Sequence, residues 1–448
     1  MVNGLLLKIY GTLVLIGLVM GNFTMCAAAA PGQSPNIIII ISDDQGYADL
    51  SIHGCKDFRT PHLDALAAGG VRCSNAYVTA PVCSPSRAGL LSGRGQQRFG
   101  HYLNVGGDAG LPVAVKTIGD RMKNLGYTTG AFGKWHLGYR DQFYPTHRGF
   151  DYFYGFRGGS HGYFGGKMER NGTRVDEKEY LTDAIARETI AFIRDKKDQP
   201  FLIYCAFNAP HTPLQAKKED LKKHAGIKDG NRRTYAAMIT NMDDNIGKII
   251  AAVRDEGLEE NTLIFFLSDN GGMPSRYSDN SPLRGSKGTT WEGGVRVPFL
   301  VSWKGVLPAG KVHDDIVSTL DILPTSILAG GGQIDPAWKL EGVNLLPLLK
   351  GPAKSGSERT LFWHWHPDRL GIRKGSKKVV WMPSKESKES KPGLYDLDAD
   401  IAESKDLSET QKDILDDLIK TYETWDKDNI DPLWGSYGKK IEPKAKSK

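Results

Sequence analysis

The sequence predicts an α/β protein: a large, mostly parallel sheet sandwiched by helices, with a small α+β subdomain at the C-terminus. Three observations carry this. Short, nearly unbroken apolar runs recur along the chain, the mark of strands buried on both faces of a parallel sheet. Segments between them place apolar residues at helical spacing. After about residue 350 the texture changes to short aromatic and basic runs separated by turn signals, followed by one helix.

Taken in order, the first thirty residues stand outside that fold. Lys8 gives a positive n-region, IYGTLVLIGLVM an apolar h-region and CAAAA the small residues that precede cleavage. The apolar run is shorter than the roughly 20 residues a membrane span needs, and FTMC around Cys26 is a poor lipid-attachment context. Residues 1–30 are therefore expected to be a signal peptide, and the mature protein to be periplasmic or secreted, with no stable membrane insertion. Residues 31–350 are expected to form the main domain. Its strands are read at NIIIII (36–41), TTGAF (128–132), FLIYCAF (201–207), TLIFFL (262–267) and VPFLVSW (297–303), with helices in LTDAIARETIAFIRDKK and AAMITNMDDNIGKIIAAVRDEG. Residues 351–448 are expected to form the subdomain. RTLFWHWH, GIRKGSKKVVWM and PGLYDLD read as strands, SKESKESKPG as a charged hairpin loop, and ETQKDILDDLIKTYETW as its helix. A basic tail closes the chain.

The formal charge of +6 is modest and sits partly in YGKKIEPKAKSK. With no clustered Lys/Arg helix and no nucleic-acid motif, a nucleic-acid partner is not expected. Four cysteines survive cleavage: Cys55, Cys73, Cys83 and Cys205. Their spacing is not that of a zinc site. Cys205 reads as a small hydrophobe within a strand, and a Cys55–Cys73 pair is left open.

The chemistry collects where strands end. NIIIII runs into Ser42-Asp43-Asp44, TTGAF into Gly133-Lys134-Trp135-His136, FLIYCAF into Asn208-Ala209-Pro210-His211, and TLIFFL into Ser268-Asp269-Asn270. Ligands of an open α/β sheet bind outside the carboxyl ends of its strands, so one edge receives all these groups. Asp43, Asp44, Asp269 and Asn270 are hard oxygen donors suited to Ca²⁺ or Mg²⁺ rather than zinc. A lone Asp at a strand end is most simply a helix cap, but two such pairs on separate strands favour a metal. Lys134, Lys287 and Arg87 beside a divalent cation would make a positive hole for a tetrahedral oxyanion. Cys83 precedes a helix opening, SRAGLLSG, and a helix N-terminus favours anions and activated nucleophiles. For an isolated cysteine, a structural or paired thiol is the simpler reading.

With these residues assembled, the chain resembles the type I sulfatases of the alkaline phosphatase superfamily, most closely carbohydrate sulfatases of bacteria. The resemblance spans nearly the whole mature chain. It rests on C-x-P-x-R in CSPSRAGLLSGR, G-Y-x-T-x-x-x-G-K-W-H-L-G from Gly126 to Gly138, and the segments APHTP, FLSDNGG and GSKGTTWEGGVRVP. Ser92 stands where threonine is common, and DADIAESKDL lacks a frequent Asp-Pro. The resemblance implies that a maturation enzyme oxidises Cys83 to Cα-formylglycine before folding, and that its hydrate is the nucleophile. It implies one Ca²⁺ (or Mg²⁺) on Asp43, Asp44, Asp269 and Asn270, touching residue 83 as well. Arg87 and Lys134 would hold the hydrate, and His136 would be the base that breaks the sulfated hemiacetal. His211 and Lys287, with Lys134, would bind sulfate, and His211 would protonate the leaving alcohol.

Export points to a sulfated polysaccharide or oligosaccharide as substrate. His161, His364, His366 and Arg369 are candidate sugar-binding residues, their aromatic neighbours suited to stacking on sugar rings. Trp363 and Trp365 serve equally well as packing between the two domains. Two other readings stay open: a phosphonate or phosphodiester hydrolase of the same superfamily, and a glycan-binding pseudoenzyme with Cys83 unmodified.

Overall fold

Strand β1 (Asn36–Ser42) contains five consecutive isoleucines, each with no exposed surface. A residue run that is apolar on both faces is stable only when both faces are covered, and that places β1 at the centre of the sheet. The computed structural model describes residue 1 and residues 34–351, 359–365, 367–383, 390–435 and 438–439. Residues 2–30 of the expected signal peptide, His366 and the end of the basic tail lie outside the described residues, as does most of the expected charged hairpin loop.

Helix α1 (Pro61–Ala68) follows β1, then β2 (Val71–Cys73), β3 (Ala76–Tyr77), α2 (Cys83–Ser92), α3 (Ile118–Lys123) and β4 (Thr128–Lys134). Next come β5 (Tyr152–Phe156), β6 (Phe164–Arg170), β7 (Thr173–Tyr180), α4 (Leu181–Lys196) and β8 (Phe201–Ala206). After them run α5 (Lys218–Lys223), α6 (Gly230–Asp255), β9 (Thr262–Ser268), α7 (Glu292–Val295), β10 (Phe299–Ser302) and β11 (Lys311–His313). The main domain ends with β12 (Val317–Ser318), α8 (Ile322–Ala329) and α9 (Leu345–Lys350).

Ten strands form one sheet in the order β11-β2-β10-β9-β1-β8-β4-β5-β6-β7. Its centre, β9-β1-β8-β4-β5, is parallel, whereas β10 and the β6–β7 ribbon run antiparallel at the flanks. The expected mostly parallel sheet is present. Alternate residues of β1 face opposite layers: Ile37, Ile39 and Ile41 pack with Leu90, Ile118 and Ile322 of α2, α3 and α8. Ile38 and Ile40 join Leu63 of α1, Ile185 of α4 and Met242 of α6 on the other side.

The C-terminal sheet is an antiparallel meander of β13 (Thr360–Trp365), β14 (Arg369–Lys374), β15 (Lys377–Trp381) and β16 (Pro392–Asp396). Leu415, Leu418 and Tyr422 of α10 (Lys412–Asp426) close one face over Ile372, Val379 and Leu394. From β13, Leu361 and Trp363 pack with Tyr77, Val78, Val295 and Val297 of the main domain. Trp363 Nε1 donates to the Val78 carbonyl at 2.7 Å, so this indole serves as domain packing. Buried charge ties the same boundary. Lys378 Nζ lies 2.7 Å from Glu292 Oε1 and 2.9 Å from Glu403 Oε1, with no exposed surface on any of the three side chains.

Candidate active site

Parallel pairing fixes the depth of the strand ends. Ser42 on β1 is in register with Ser268 on β9, so Asp43 and Asp269 leave the sheet side by side, and the Asp269 amide donates to the Ser42 carbonyl at 3.0 Å. On the other flank the Asp43 amide donates to the Ala209 carbonyl at 3.0 Å, drawing in the loop after β8. Next along, β4 ends at Lys134, preceded by Gly133 at φ +90°. A Cβ on Gly133 would sit 2.1 Å from the Ala206 oxygen, so only glycine fits there. Asp44 and His136 also take left-handed backbone, with φ of 63° and 57°. Such conformations cost roughly 1–3 kcal/mol for residues with a side chain, and they gather at functional sites.

Cys83 opens α2 as its first residue, and all ten residues of that helix are buried. The Cys83 sulfur lies 3.6 Å from Asp43 Oδ1, 3.9 Å from Asp44 Oδ1 and 3.1 Å from Lys287 Nζ. Lys287 also donates to both Asp44 oxygens, at 2.6 and 2.7 Å. His211 Nε2 stands 3.6 Å from Asp44 Oδ2, and Asn270 Nδ2 donates to Asp44 Oδ1 at 2.8 Å. One helical turn after Cys83, Arg87 Nε reaches Asp269 Oδ2 at 2.9 Å and its Nη1 reaches the Lys134 carbonyl at 3.0 Å. Lys134 Nζ closes the ring on Asp43 Oδ2 at 2.6 Å. Nine of the expected site residues thus form one continuous contact network. Arg87 and Lys134 contact carboxylates here, and neither forms a hydrogen bond to Cys83.

The electrostatics follow from burial. Burial alone would raise Asp43, but the charges of Lys134, His211, Arg87 and Lys287 overcome it and hold the carboxyl well below its ordinary range. Asp269 goes the other way, raised by burial and by the like charge of Asp43 despite Arg87 and Lys134. Burial would lower Lys287, yet Asp44, Cys83 and Asp43 hold it well above its ordinary value. Burial pushes the Cys83 thiol up to about 12, so an unmodified cysteine here is a protonated, poor nucleophile near neutrality. His136, the tenth residue, is 6% exposed, and its Nδ1 has no hydrogen-bond partner. Burial, then Lys134 and Arg87, holds it well below its ordinary value, so the imidazole is neutral.

The outer residues divide. His364 Nδ1 is 3.0 Å from Asp426 Oδ1 and its ring meets Tyr102 edge-on, which ties it to α10. His161 packs against Phe156, with Nδ1 2.7 Å from its neighbour's carbonyl at Gly162. Arg369 stacks on Trp365 at 4.4 Å and donates to the Gly288 carbonyl at 2.9 Å, one residue from Lys287. Gly288 in turn donates to the Pro81 carbonyl at 2.8 Å, two residues from Cys83. Arg369 therefore sits at the rim of the site, while His364 is held by the subdomain. Tyr204 was not expected. Buried in β8, it accepts from Arg87 Nη1 at 3.4 Å, and nothing in an apolar strand pattern marks it. Cys55, Cys73 and Cys205 are free thiols, which settles the open Cys55–Cys73 pairing in this structure.

A family model described as Sulfatase matches residues 35–331, which hold every residue of the contact network. The chain belongs to the sulfatase family. It is a sulfuric ester hydrolase. Among sulfatases, N-acetylgalactosamine-6-sulfatase of Homo sapiens is 33% identical over 404 residues, covering 78% of this chain and 76% of that protein. Arylsulfatase A of Bos taurus is 33% identical over 400 residues, covering 80% and 77%. The crystal structure of Ps i-CgsB in complex with k-i-k-neocarrahexaose superposes with a TM-score of 0.86 at 37% identity, covering 90% of this chain and 95% of that one. PsFucS1 sulfatase from Pseudoalteromonas sp. follows at a TM-score of 0.77 and 25% identity, covering 89% and 91%.

Proposed function

We propose that this sulfatase is exported and removes sulfate from a sulfated polysaccharide or oligosaccharide, with Cys83 matured to Cα-formylglycine and one Ca²⁺ beside it. The observation that carries the reading is the placement of Cys83, sealed at the start of α2 between Asp43, Asp44 and Lys287. A glycan substrate is supported by the relatives, one named for N-acetylgalactosamine 6-sulfate and another holding a neocarrahexaose. Residues 31–350 would be the catalytic unit and 351–448 a subdomain that helps to wall the site.

The residues present fit a hard cation. Asp43, Asp44, Asp269 and Asn270 offer only oxygen among their plausible donors, and Asn270 Oδ1 is buried without any partner. Asp43, Asp44, Cys83 and His211 place one ligand atom each within 4.8 Å of one another. Ca²⁺ or Mg²⁺ would be held there. When present, the cation supplies a Lewis acid for a sulfate oxygen and formylglycine supplies a hydrated aldehyde as nucleophile.

The chain's own groups do the rest. Lys287 and His211, converging on Asp44, are placed to bind a sulfate and to neutralise charge as the ester bond breaks. His211 Nε2 donates a proton to the departing alcohol oxygen. Neutral His136 is free to accept a proton from residue 83 and so release sulfate. Arg87 and Lys134 keep Asp269 and Asp43 in place, and burial of the floor excludes water.

The test is sulfate release from a panel of defined sulfated oligosaccharides, set beside the sulfate and phosphate esters of one chromogenic alcohol. Sulfate release from glycans, and loss of all turnover in Cys83→Ala, is the expected result. Faster cleavage of the phosphate ester would favour the phosphodiester alternative. An active preparation whose 81–87 peptide carries an intact thiol by mass spectrometry would sink the formylglycine assignment.

A further inference from the structure

At the far end of α2 from Cys83 lies a cavity of about 420 Å³. The helix between them is ten residues long, about 15 Å, so the cavity is separate from the catalytic centre. Four cations line it, Arg94, Arg98, Lys116 and Arg121, together with the indole of Trp338, and no carboxylate is among its lining residues.

Most of those charges are unmatched, unlike the cations of the catalytic network. Arg87, Lys134 and Lys287 each contact a carboxylate. In the cavity only Arg98 does so, with Glu341 at 3.4 Å and Asp428 at 3.8 Å. Among the described residues Arg94, Lys116 and Arg121 form no ion pair, and Nε of both Arg94 and Arg121 is buried without a partner. The Arg121 guanidinium carbon lies over the Trp338 ring, 3.8 Å from its centroid. Burial pulls its guanidinium below the ordinary value, offset only in part by Asp120 and Asp335. Both acids are engaged elsewhere: Asp120 accepts from the Thr117 amide at 2.8 Å and Asp335 from the Ala337 amide at 2.8 Å.

A buried Nε–H left without an acceptor costs free energy, and the planar fork of a half-buried guanidinium matches a tetrahedral oxyanion. Side by side with Trp338, these cations suit a ring that carries an oxyanion. We propose that this cavity is a second anion site, which holds a sulfate-bearing saccharide unit away from the catalytic centre and anchors a polymeric substrate. The inference rests on the glycan reading of the preceding subsection. Its gain is avidity: a polymer held at one point reaches the other site at raised effective concentration.

The test uses the full chain with Cys83→Ala, titrated calorimetrically with a defined sulfated disaccharide and with its desulfated counterpart. Two sites per chain are expected for the sulfated form, falling to one when Arg94→Gln and Arg121→Gln are added. In the protein with Cys83 intact, the same two changes should lower kcat/KM on a sulfated polysaccharide by about tenfold, leaving turnover of a small aryl sulfate unchanged. Lys116→Glu acts from the exposed rim and should lower polysaccharide kcat/KM in the same direction, which covers the case of a double variant that fails to fold. One binding site in both forms, or equal binding of the desulfated sugar, overturns the proposal. So does an unchanged polysaccharide kcat/KM in Lys116→Glu, or tighter binding of a short RNA than of the sulfated sugar. An inactive parent protein on every sulfate ester would instead count against the catalytic reading and leave the binding stoichiometry readable.

Discussion

Changing Lys378 to Met isolates the buried charge at the domain boundary. Lys378 Nζ is shared between Glu292 at 2.7 Å and Glu403 at 2.9 Å, with all three side chains fully buried. Glu292 would keep Tyr77 at 2.7 Å and Arg296 at 3.3 Å, but Glu403 would lose its only ion pair among the described residues. Removing one partner of a buried pair costs about 3–5 kcal/mol. The size should depend on pH. Glu403 is raised from 4.5 to about 7 by burial, against the pull of Lys378. A raised carboxyl stabilises the fold fully below its unfolded value and loses that contribution as pH rises through the folded value. Without Lys378 the folded value climbs further, so the loss continues to higher pH, at up to about 1.4 kcal/mol per pH unit. Urea midpoints at pH 5 and pH 8 measure this: Lys378→Met should be modestly destabilised at pH 5 and by about 3–5 kcal/mol at pH 8. Adding Glu403→Gln should restore most of it. A deficit below about 1 kcal/mol at pH 8, or a larger deficit at pH 5, would show that Lys378 does not neutralise Glu403.

Three other outcomes are expected. Lys287→Met, which removes contacts to Asp44 and to residue 83, should lower kcat about 10²–10³-fold on a small aryl sulfate, the loss typical of one oxyanion-binding donor; a fall under tenfold counts against its role. Arg369→Gln should raise KM on a multiply sulfated oligosaccharide by about 10- to 100-fold, the loss of a charge-assisted contact of roughly 1.5–3 kcal/mol, with aryl sulfate turnover as the unchanged control. Chelation should abolish activity and Ca²⁺ restore it, while circular dichroism stays constant; activity that survives exhaustive chelation removes the metal from the reading.

Much of the fold was legible because a parallel sheet writes itself as uninterrupted apolar runs, and the edge residues of β1, β4, β8 and β9 follow directly from where those runs stop. The β6–β7 ribbon was not legible. FGGKMER and TRVDEKEY are half exposed and rich in charge, so they carry no apolar pattern. VPFLVSW reads as one strand, yet only Phe299–Ser302 joins the large sheet, antiparallel to β9 and β2, while the Val297 amide donates to the Ala76 carbonyl of β3. Lys378, Glu292 and Glu403 look like surface charges in sequence, since their mutual burial depends on residues far apart in the chain. For the same reason the engagement of His364 with Asp426 on α10 could not be seen, whereas Arg369 and Trp365 share a rim that a sequence can only suggest.

One consequence of β1 concerns insertions and deletions. Five identical isoleucines encode depth but no position: slide the strand by one residue and its packing chemistry is unchanged. The ruler's zero is instead Asn36, whose Nδ2 donates to Thr262 Oγ1 at 3.4 Å while its Oδ1 accepts the Phe201 amide at 3.2 Å, clasping both neighbouring strands. That clasp lies about 23 Å from Asp43 along the strand. Losing one isoleucine would leave a chain with an intact core whose Asp43 and Asp44 stop about 3.3 Å short of Asp269. Spacing, more than identity, is what this strand has to preserve.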